Sequence, residues 1–197
     1  SIRKLVKTND LSGFNVTIPH KQSIIPYLDK LTPEANAIGS VNCVKVVEGK
    51  LIGYNTDEFG FSTSLTRLIG DKTIEKAIIL GNGGSSKAVQ HALKQMKIDY
   101  SIVSRSGDLN YNNLSPSFIR TCQLIVNTTP LGIFPNMDEH PEIPYEAITS
   151  NHFAFDLIYN PSETAFLRKC SLAGATIMNG QEMLELQADR SWEIWNA

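Results

Sequence analysis

Ala77-Ile78-Ile79-Leu80-Gly81-Asn82-Gly83-Gly84-Ser85-Ser86-Lys87-Ala88-Val89 is the stretch that decides the fold. A continuous apolar run enters a glycine cluster, and Ala88, Val89, Ala92, Leu93 and Met96 then recur at helical spacing. A buried strand leading through glycines into an amphipathic helix is the setting a dinucleotide loop requires. Glycine permits the tight turn, lets a pyrophosphate approach the backbone, and leaves N–H groups free at the helix N-terminus to bind it. Ser86 takes the place of the third glycine of the strict pattern, and its small side chain still allows close helix–strand packing. The competing reading is a glycine-rich turn without a ligand.

Strand-like and helix-like segments alternate onward from this point. A strand is expected over Tyr100–Val103, an apolar run over Leu124–Val126, and a further strand over Phe153–Tyr159. A helix over Glu163–Leu172 and a last strand over Ala175–Met178 follow. Short two-sided apolar strands between helices predict a parallel sheet covered on both faces. The second strand of this unit ends in Ser104, Arg105 and Ser106, with no carboxylate at its tip. An acidic residue there would take the ribose 2′-hydroxyl of NAD, whereas a guanidinium between hydroxyls suits a 2′-phosphate and points to NADP. The alternative for Arg105 is an ordinary solvated surface arginine.

Before Gly70 the pattern is less regular. Phe14–Ile18 reads as a strand, Gln22–Leu31 as a helix interrupted by Pro26, and Val41–Val47 with Leu51–Tyr54 as a hairpin closed at Glu48-Gly49-Lys50. Thr56 can N-cap a helix over Glu58–Leu68, with Asp57 in its first turn. Three polar clusters interrupt this part: NVTIPHK (15–21), SVNC (40–43) and GYNTD (53–57). On a strand Asn15 and Thr17 share a face, and Pro19 ends the ladder so that Lys21 can fold back toward it. Taken singly, each cluster has a bland reading: a capped strand end, a turn asparagine, a helix-cap aspartate.

Composition narrows the classes further. Eighteen basic residues against twenty acidic ones give a net charge of −2 without a Lys/Arg cluster, which argues against nucleic acid or an anionic membrane as partner. No apolar run reaches the roughly 20 residues of a membrane span. Cys43, Cys122 and Cys170 are an odd, scattered set and the four histidines are equally dispersed, so neither a disulfide framework nor a metal site is indicated, and a reducing cytoplasm is the simplest compartment.

Taken together and in order, NVTIPHK, SVNCV, GYNTD and GNGGSSKAV (81–89) closely resemble the shikimate dehydrogenase family. The resemblance continues through VNTTPLG (126–132) and DLIYNP (156–161) to Asn179-Gly180, Met183-Leu184 and Gln187. It implies an α/β protein with a substrate domain over residues 1–70, joined by 181–197 as a returning C-terminal helix, and a Rossmann-like NADP-binding domain over 71–180. It implies NADPH-dependent reduction of 3-dehydroshikimate to shikimate in aromatic amino-acid biosynthesis, by a monomer or homodimer whose partner is a small molecule. By the same resemblance Lys21 is the proton-transfer lysine and Asp57 its carboxylate partner. Asn15, Thr17, Asn42, Tyr159 and Gln187 contact substrate. Gly81, Asn82, Gly83, Gly84, Ser85, Ser104, Arg105 and Ser106 cradle NADP, with Leu157 and Gly180 near the nicotinamide.

The chemistry is coherent, since hydride arriving at a ketone leaves an alkoxide that a positioned ammonium can protonate and stabilise. Family members carry a further N-terminal βα unit with a Ser-x-Ser motif for the substrate carboxylate, and nothing like it precedes Asn15. The expectation is therefore a truncated chain with an incomplete pocket and an unpaired position beside the Asn15–Ile18 strand. Rival readings are a quinate/shikimate dehydrogenase using NAD, against which Arg105 argues, and a methylenetetrahydrofolate dehydrogenase, which needs aromatic surface for a pterin. A non-catalytic NADP-binding regulator has no reason to keep the Lys21–Asp57 pair.

Overall fold

The computed structural model describes residues 2–197. Its two sheets are built by different rules. The first contains β1 (Gly13–Asn15), β2 (Lys30–Leu31), β3 (Cys43–Val47) and β4 (Lys50–Tyr54) in the order β1-β3-β4-β2. β1 and β4 run antiparallel to β3, and β2 joins β4 in parallel. Register pairs Val47 with Lys50, which leaves Glu48 and Gly49 as the loop. Both have positive φ (51° and 75°), as the turn whose twist matches a two-residue hairpin demands. β1 lies at an edge of this sheet. Its face packs Val16, Ile24, Ala35, Val41, Val44 and Leu51 with Val6 of α1 (Ile2–Thr8).

The second sheet is wholly parallel: β5 (Lys76–Leu80), β6 (Asp99–Val103), β7 (Leu124–Asn127), β8 (Phe153–Asp156) and β9 (Thr176–Met178), ordered β6-β5-β7-β8-β9. The apolar run at 77–80 has no polar alternation because both faces are covered. Ile78 and Leu80 point into a core with Ile119 of α5 (Pro116–Arg120) and Phe166 of α6 (Ala165–Leu172). Ala77 and Ile79 point into another with Val89 and Leu93 of α4 (Gly84–Gln95), Phe61 and Leu65 of α3 (Asp57–Ile69), and Met183 of α7 (Gln181–Asn196). The chain leaves β5 to one side for β6 and returns on the other for β7. A crevice therefore opens at the C-terminal ends of β5 and β7, where open α/β sheets bind ligands.

Four expectations need correction. No helix covers 22–31: Ile25–Tyr27 is a single 3₁₀ turn holding Pro26, and Lys30–Leu31 adds to the sheet instead. Pro26 has no N–H to continue a helix, and the Asp29 carboxylate accepts from the Leu51 N–H at 2.7 Å, drawing the segment onto β4. α2 (Pro33–Ile38), capped by Thr32, follows where the sequence pattern predicts no helix. The first strand stops at Asn15 and the 153–159 strand at Asp156, whose carboxylate accepts from the Ile158 N–H and turns the chain. Thr56 occupies the N-cap position of α3 without capping it. Asn55 Oδ1 accepts from the Glu58 N–H at 3.2 Å, and the Thr56 hydroxyl is used elsewhere.

Candidate active site

Lys21 leaves the turn after β1, and Asp57 is the first residue of α3. The ammonium donates to Asp57 Oδ2 at 2.6 Å, with side chains only 12% and 6% exposed. In so little water the pair is worth more than a surface ion pair, provided the remaining valences are met. On the carboxylate they are. Asn42 Nδ2 lies 3.0 Å from Asp57 Oδ1, 2.9 Å from Thr56 Oγ1 and 3.2 Å from Gln187 Oε1, so its two protons are shared among three acceptors. Asn42 Oδ1 accepts from the Thr56 N–H at 2.7 Å. Thr56 Oγ1 also meets Ser191 Oγ at 3.1 Å, and Ser191 donates back to the Gln187 carbonyl at 2.9 Å.

α7 reaches this cluster because its crossing with α3 is tight. A Cβ on Gly60 would sit 2.6 Å from the Met183 carbonyl and 3.3 Å from Gln187 Cβ, so glycine is what lets Gln187 stand beside Asn42. Asn15 and Thr17 are exposed, and among the described residues neither side chain has a hydrogen-bond partner. Tyr159, 46% exposed on the turn after β8, likewise makes no side-chain hydrogen bond among the described residues.

The glycine loop borders the same cluster. Lys21 Nζ also reaches Ser85 Oγ at 3.3 Å, and a Cβ on Gly84 would lie 3.2 Å from Lys21 Cβ and from Ser40 Oγ. Gly81 has φ 101°, and a Cβ there would strike Thr128 Oγ1 at 2.8 Å, so glycine is required on both counts. Beyond Gly83 there is open space, and Asn82 and Gly83 are exposed at the N-terminus of α4. Ser86, fully buried, donates to the Gly81 carbonyl at 2.9 Å and so ties the loop closed from within. Free N–H groups, room for a bulky group and a helix N-terminus fit a pyrophosphate.

Past β6, the Ser104 N–H donates to the Leu109 carbonyl and closes a compact turn, and Arg105 projects into solvent with no ion-pair partner among the described residues. Ser106 is exposed beside it. Farther along the crevice a Cβ on Gly180 would collide with the Leu157 carbonyl, and the Gly180 N–H donates to the Ile158 carbonyl at 3.0 Å.

Comparison with known proteins gives the cluster its context. The family model described as the shikimate dehydrogenase substrate binding domain matches residues 1–44. A shikimate dehydrogenase (NADP(+)) from Methanococcus aeolicus is 38% identical over 93% of this chain and 72% of its own length. The chain belongs to the shikimate dehydrogenase family. Among solved members, shikimate dehydrogenase 1 of Peptoclostridium difficile superposes with a TM-score of 0.87 at 35% identity, covering 99% of this chain and 74% of that one. The Thermus thermophilus shikimate 5-dehydrogenase, solved in complex with NADP(H) and shikimate, gives 0.84 at 31% identity, covering 98% and 76%.

In this family member the structure also brings forward residues to which the sequence pattern gives no part in the site. Thr56 stands inside a quoted motif, where its expected part is capping. Ser191 lies one helical turn after Gln187, a spacing that puts both on one face of α7. Asn127 and Asp156 stand in the VNTTPLG and DLIYNP motifs, and as polar residues ending buried apolar strands they contrast with their surroundings.

Proposed function

We propose that this chain reduces 3-dehydroshikimate to shikimate reversibly with NADPH, in aromatic amino-acid biosynthesis. The observation that carries the reading is that one ammonium, Lys21 Nζ, lies 2.6 Å from the Asp57 carboxylate and 3.3 Å from Ser85 of the dinucleotide loop. Proton donor and cofactor cradle are thus neighbours. Residues 81–85 would hold the pyrophosphate, Arg105 between Ser104 and Ser106 the 2′-phosphate, and Leu157 and Gly180 the nicotinamide side of the crevice. When bound, the cofactor supplies hydride.

Every other part of the step falls to the chain. Lys21 delivers a proton to the oxygen that becomes the alcohol and stabilises negative charge there beforehand. Asp57, fixed by Asn42, keeps the ammonium aimed. Asn15, Thr17, Asn42, Tyr159 and Gln187 supply donors and acceptors for a polyhydroxylated substrate. The partnerless side chains of Asn15 and Thr17 favour this. Gln187 Nε2 donates to the Leu184 carbonyl at 2.8 Å and its Oε1 faces Asn42, so the side chain would reorient or accept.

We divide the chain into a substrate unit, 1–70 with 181–197, and a nucleotide unit, 71–180, with α3 and α7 packed against the parallel sheet as the seam. Among the described residues no helix is long and apolar enough to cross a membrane. Three unpaired, buried cysteines favour a reducing cytoplasm. The test is direct: loss of reduced-nicotinamide absorbance when 3-dehydroshikimate is added to the protein and NADPH. No oxidation above the rate without protein would overturn the reading.

A further inference from the structure

We propose that Asp156 is a positioning residue, whose carboxylate, with Asn127 and Thr164, braces the β7 and β8 turns that wall the ligand crevice and, through Gly180, sets the start of α7. The inference rests on the dehydrogenase reading for its consequence and on geometry for its substance. Asp156 ends β8 and is fully buried. Oδ1 accepts from Asn127 Nδ2 at 3.1 Å and from the Ile158 N–H at 3.0 Å, and Oδ2 accepts from Thr164 Oγ1 at 2.6 Å. Among the described residues no cation pairs with it. A carboxylate buried without a counter-ion is expensive, and hydrogen-bond donors are what make it tolerable.

Each of those donors leads to a wall of the crevice. Asn127 ends β7, and its Oδ1 accepts from both the backbone N–H and the hydroxyl of Thr129, at 3.0 and 2.7 Å. Thr128 and Thr129 are the residues pressed against Gly81 of the glycine loop. Thr164 Oγ1 accepts from the Leu167 N–H and caps α6. The Ile158 bond folds the β8 turn so that the Leu157 and Ile158 carbonyls face Gly180, which has no side chain to obstruct them and donates its N–H to Ile158. The Leu184 N–H then donates to the Gly180 carbonyl, opening α7, which carries Gln187 to Asn42. A single buried group therefore ties the end of β7, which flanks the crevice, to the end of β8, and indexes the helix that reaches the Lys21 cluster.

Burial pushes the Asp156 carboxyl up to about 6, against the opposing pull of Thr164, Ile158 and Asn127. At neutral pH it is ionised and can accept from all three. The neighbouring titratable groups, Cys170 of α6 and Tyr145, are themselves pushed upward by burial and stay uncharged.

A peg that merely stabilises the fold would weaken every ligand alike when removed, so the test separates the two halves of the cofactor. Asp156→Ala should lower kcat on the order of 10²-fold, the scale of a small misplacement at a reacting centre. Affinity for adenosine 2′,5′-bisphosphate, the half of NADPH without nicotinamide, should stay unchanged. Asp156→Asn, which keeps an acceptor for Asn127 and Ile158, should restore most of the lost kcat. In the protein without ligands, hydrogen exchange of the Ile158, Gly180 and Leu184 amides should accelerate in Asp156→Ala while Ile78–Leu80 stay protected. If Asp156→Ala does not fold, Thr164→Val takes its place with the same separation expected. Normal kcat in a folded variant, or parallel loss of kcat and of bisphosphate affinity, would overturn the proposal. Wild-type protein measured alongside separates the two claims: failure to oxidise NADPH sinks the dehydrogenase reading, while the exchange data still decide the role of Asp156.

Discussion

Replacing Asn42 by alanine tests whether the polar cluster is a built frame or a loose lining. Asn42 is 3% exposed, Thr56 1% and Asp57 4%, so neither Thr56 nor Asp57 can turn to water. The substitution strands the Thr56 N–H, which now donates to Asn42 Oδ1 at 2.7 Å, and removes the donor 3.0 Å from Asp57 Oδ1. A buried group left unsatisfied costs about 1–3 kcal/mol, more when charged, so two of them place the loss at about 2–6 kcal/mol. Urea unfolding at neutral pH reads it as a lower midpoint with unchanged slope.

Asn42→Asp sharpens the test. It sets a second carboxylate beside Asp57, and like charges at that distance cannot both ionise. Its stability deficit relative to wild type should therefore grow as pH rises from acid toward neutral, because the unfolded chain releases a proton that the folded pair holds. A loss below about 0.5 kcal/mol for Asn42→Ala, the size of an ordinary surface change, would refute the reasoning. So would a deficit for Asn42→Asp that shrinks as pH rises.

Three further outcomes follow from separate parts of the molecule. Gly180→Ala places a Cβ against the Leu157 carbonyl and should cost about 1–3 kcal/mol by overpacking, read by thermal unfolding, together with a fall in kcat; an unchanged melting curve would show that the turn yields freely. Arg105→Ala should weaken NADPH by about 1.5–3 kcal/mol and leave NADH almost unaffected by calorimetric titration; equal weakening of both would make Arg105 a loop anchor. The Asp156 carboxyl, raised from 3.8 to about 6, binds its proton more tightly folded than unfolded. Its contribution is thus fullest below the unfolded value and is lost as pH rises through about 6, on the order of 3 kcal/mol in all. The stability of wild type relative to Asp156→Asn should fall across that window, and a rise would contradict the assignment.

The parallel sheet was legible because its strands are buried on both faces. Ala77–Leu80 and Leu124–Val126 carry no polar alternation, and the glycines after Leu80 mark where the chain must turn. The hairpin at Glu48-Gly49 was legible from its turn residues. The segment 22–31 was not, since its apolar residues suit a helix locally and only contacts between distant positions, the Asp29–Leu51 bond and the pairing of Lys30–Leu31 with β4, draw it into the sheet. Lys21 and Asp57 were found through motifs, but their 2.6 Å contact belongs to the tertiary fold. Thr56 misled because Ser and Thr at a helix start ordinarily cap it, and here Asn55 does so while Thr56 is drawn to Asn42 and Ser191. Ser191 meets Thr56 and Asp156 meets Asn127 only in the folded chain, so the parts they play are not written in any local pattern.

The most direct measurement is steady-state reduction of 3-dehydroshikimate by the Lys21→Ala protein beside its affinity for NADPH. If Lys21, held by Asp57, delivers the proton, kcat falls by about 10²–10⁴, the usual worth of one acid–base group, while NADPH affinity barely changes. Near-normal turnover at neutral pH, or a loss explained wholly by weaker NADPH binding, would contradict it.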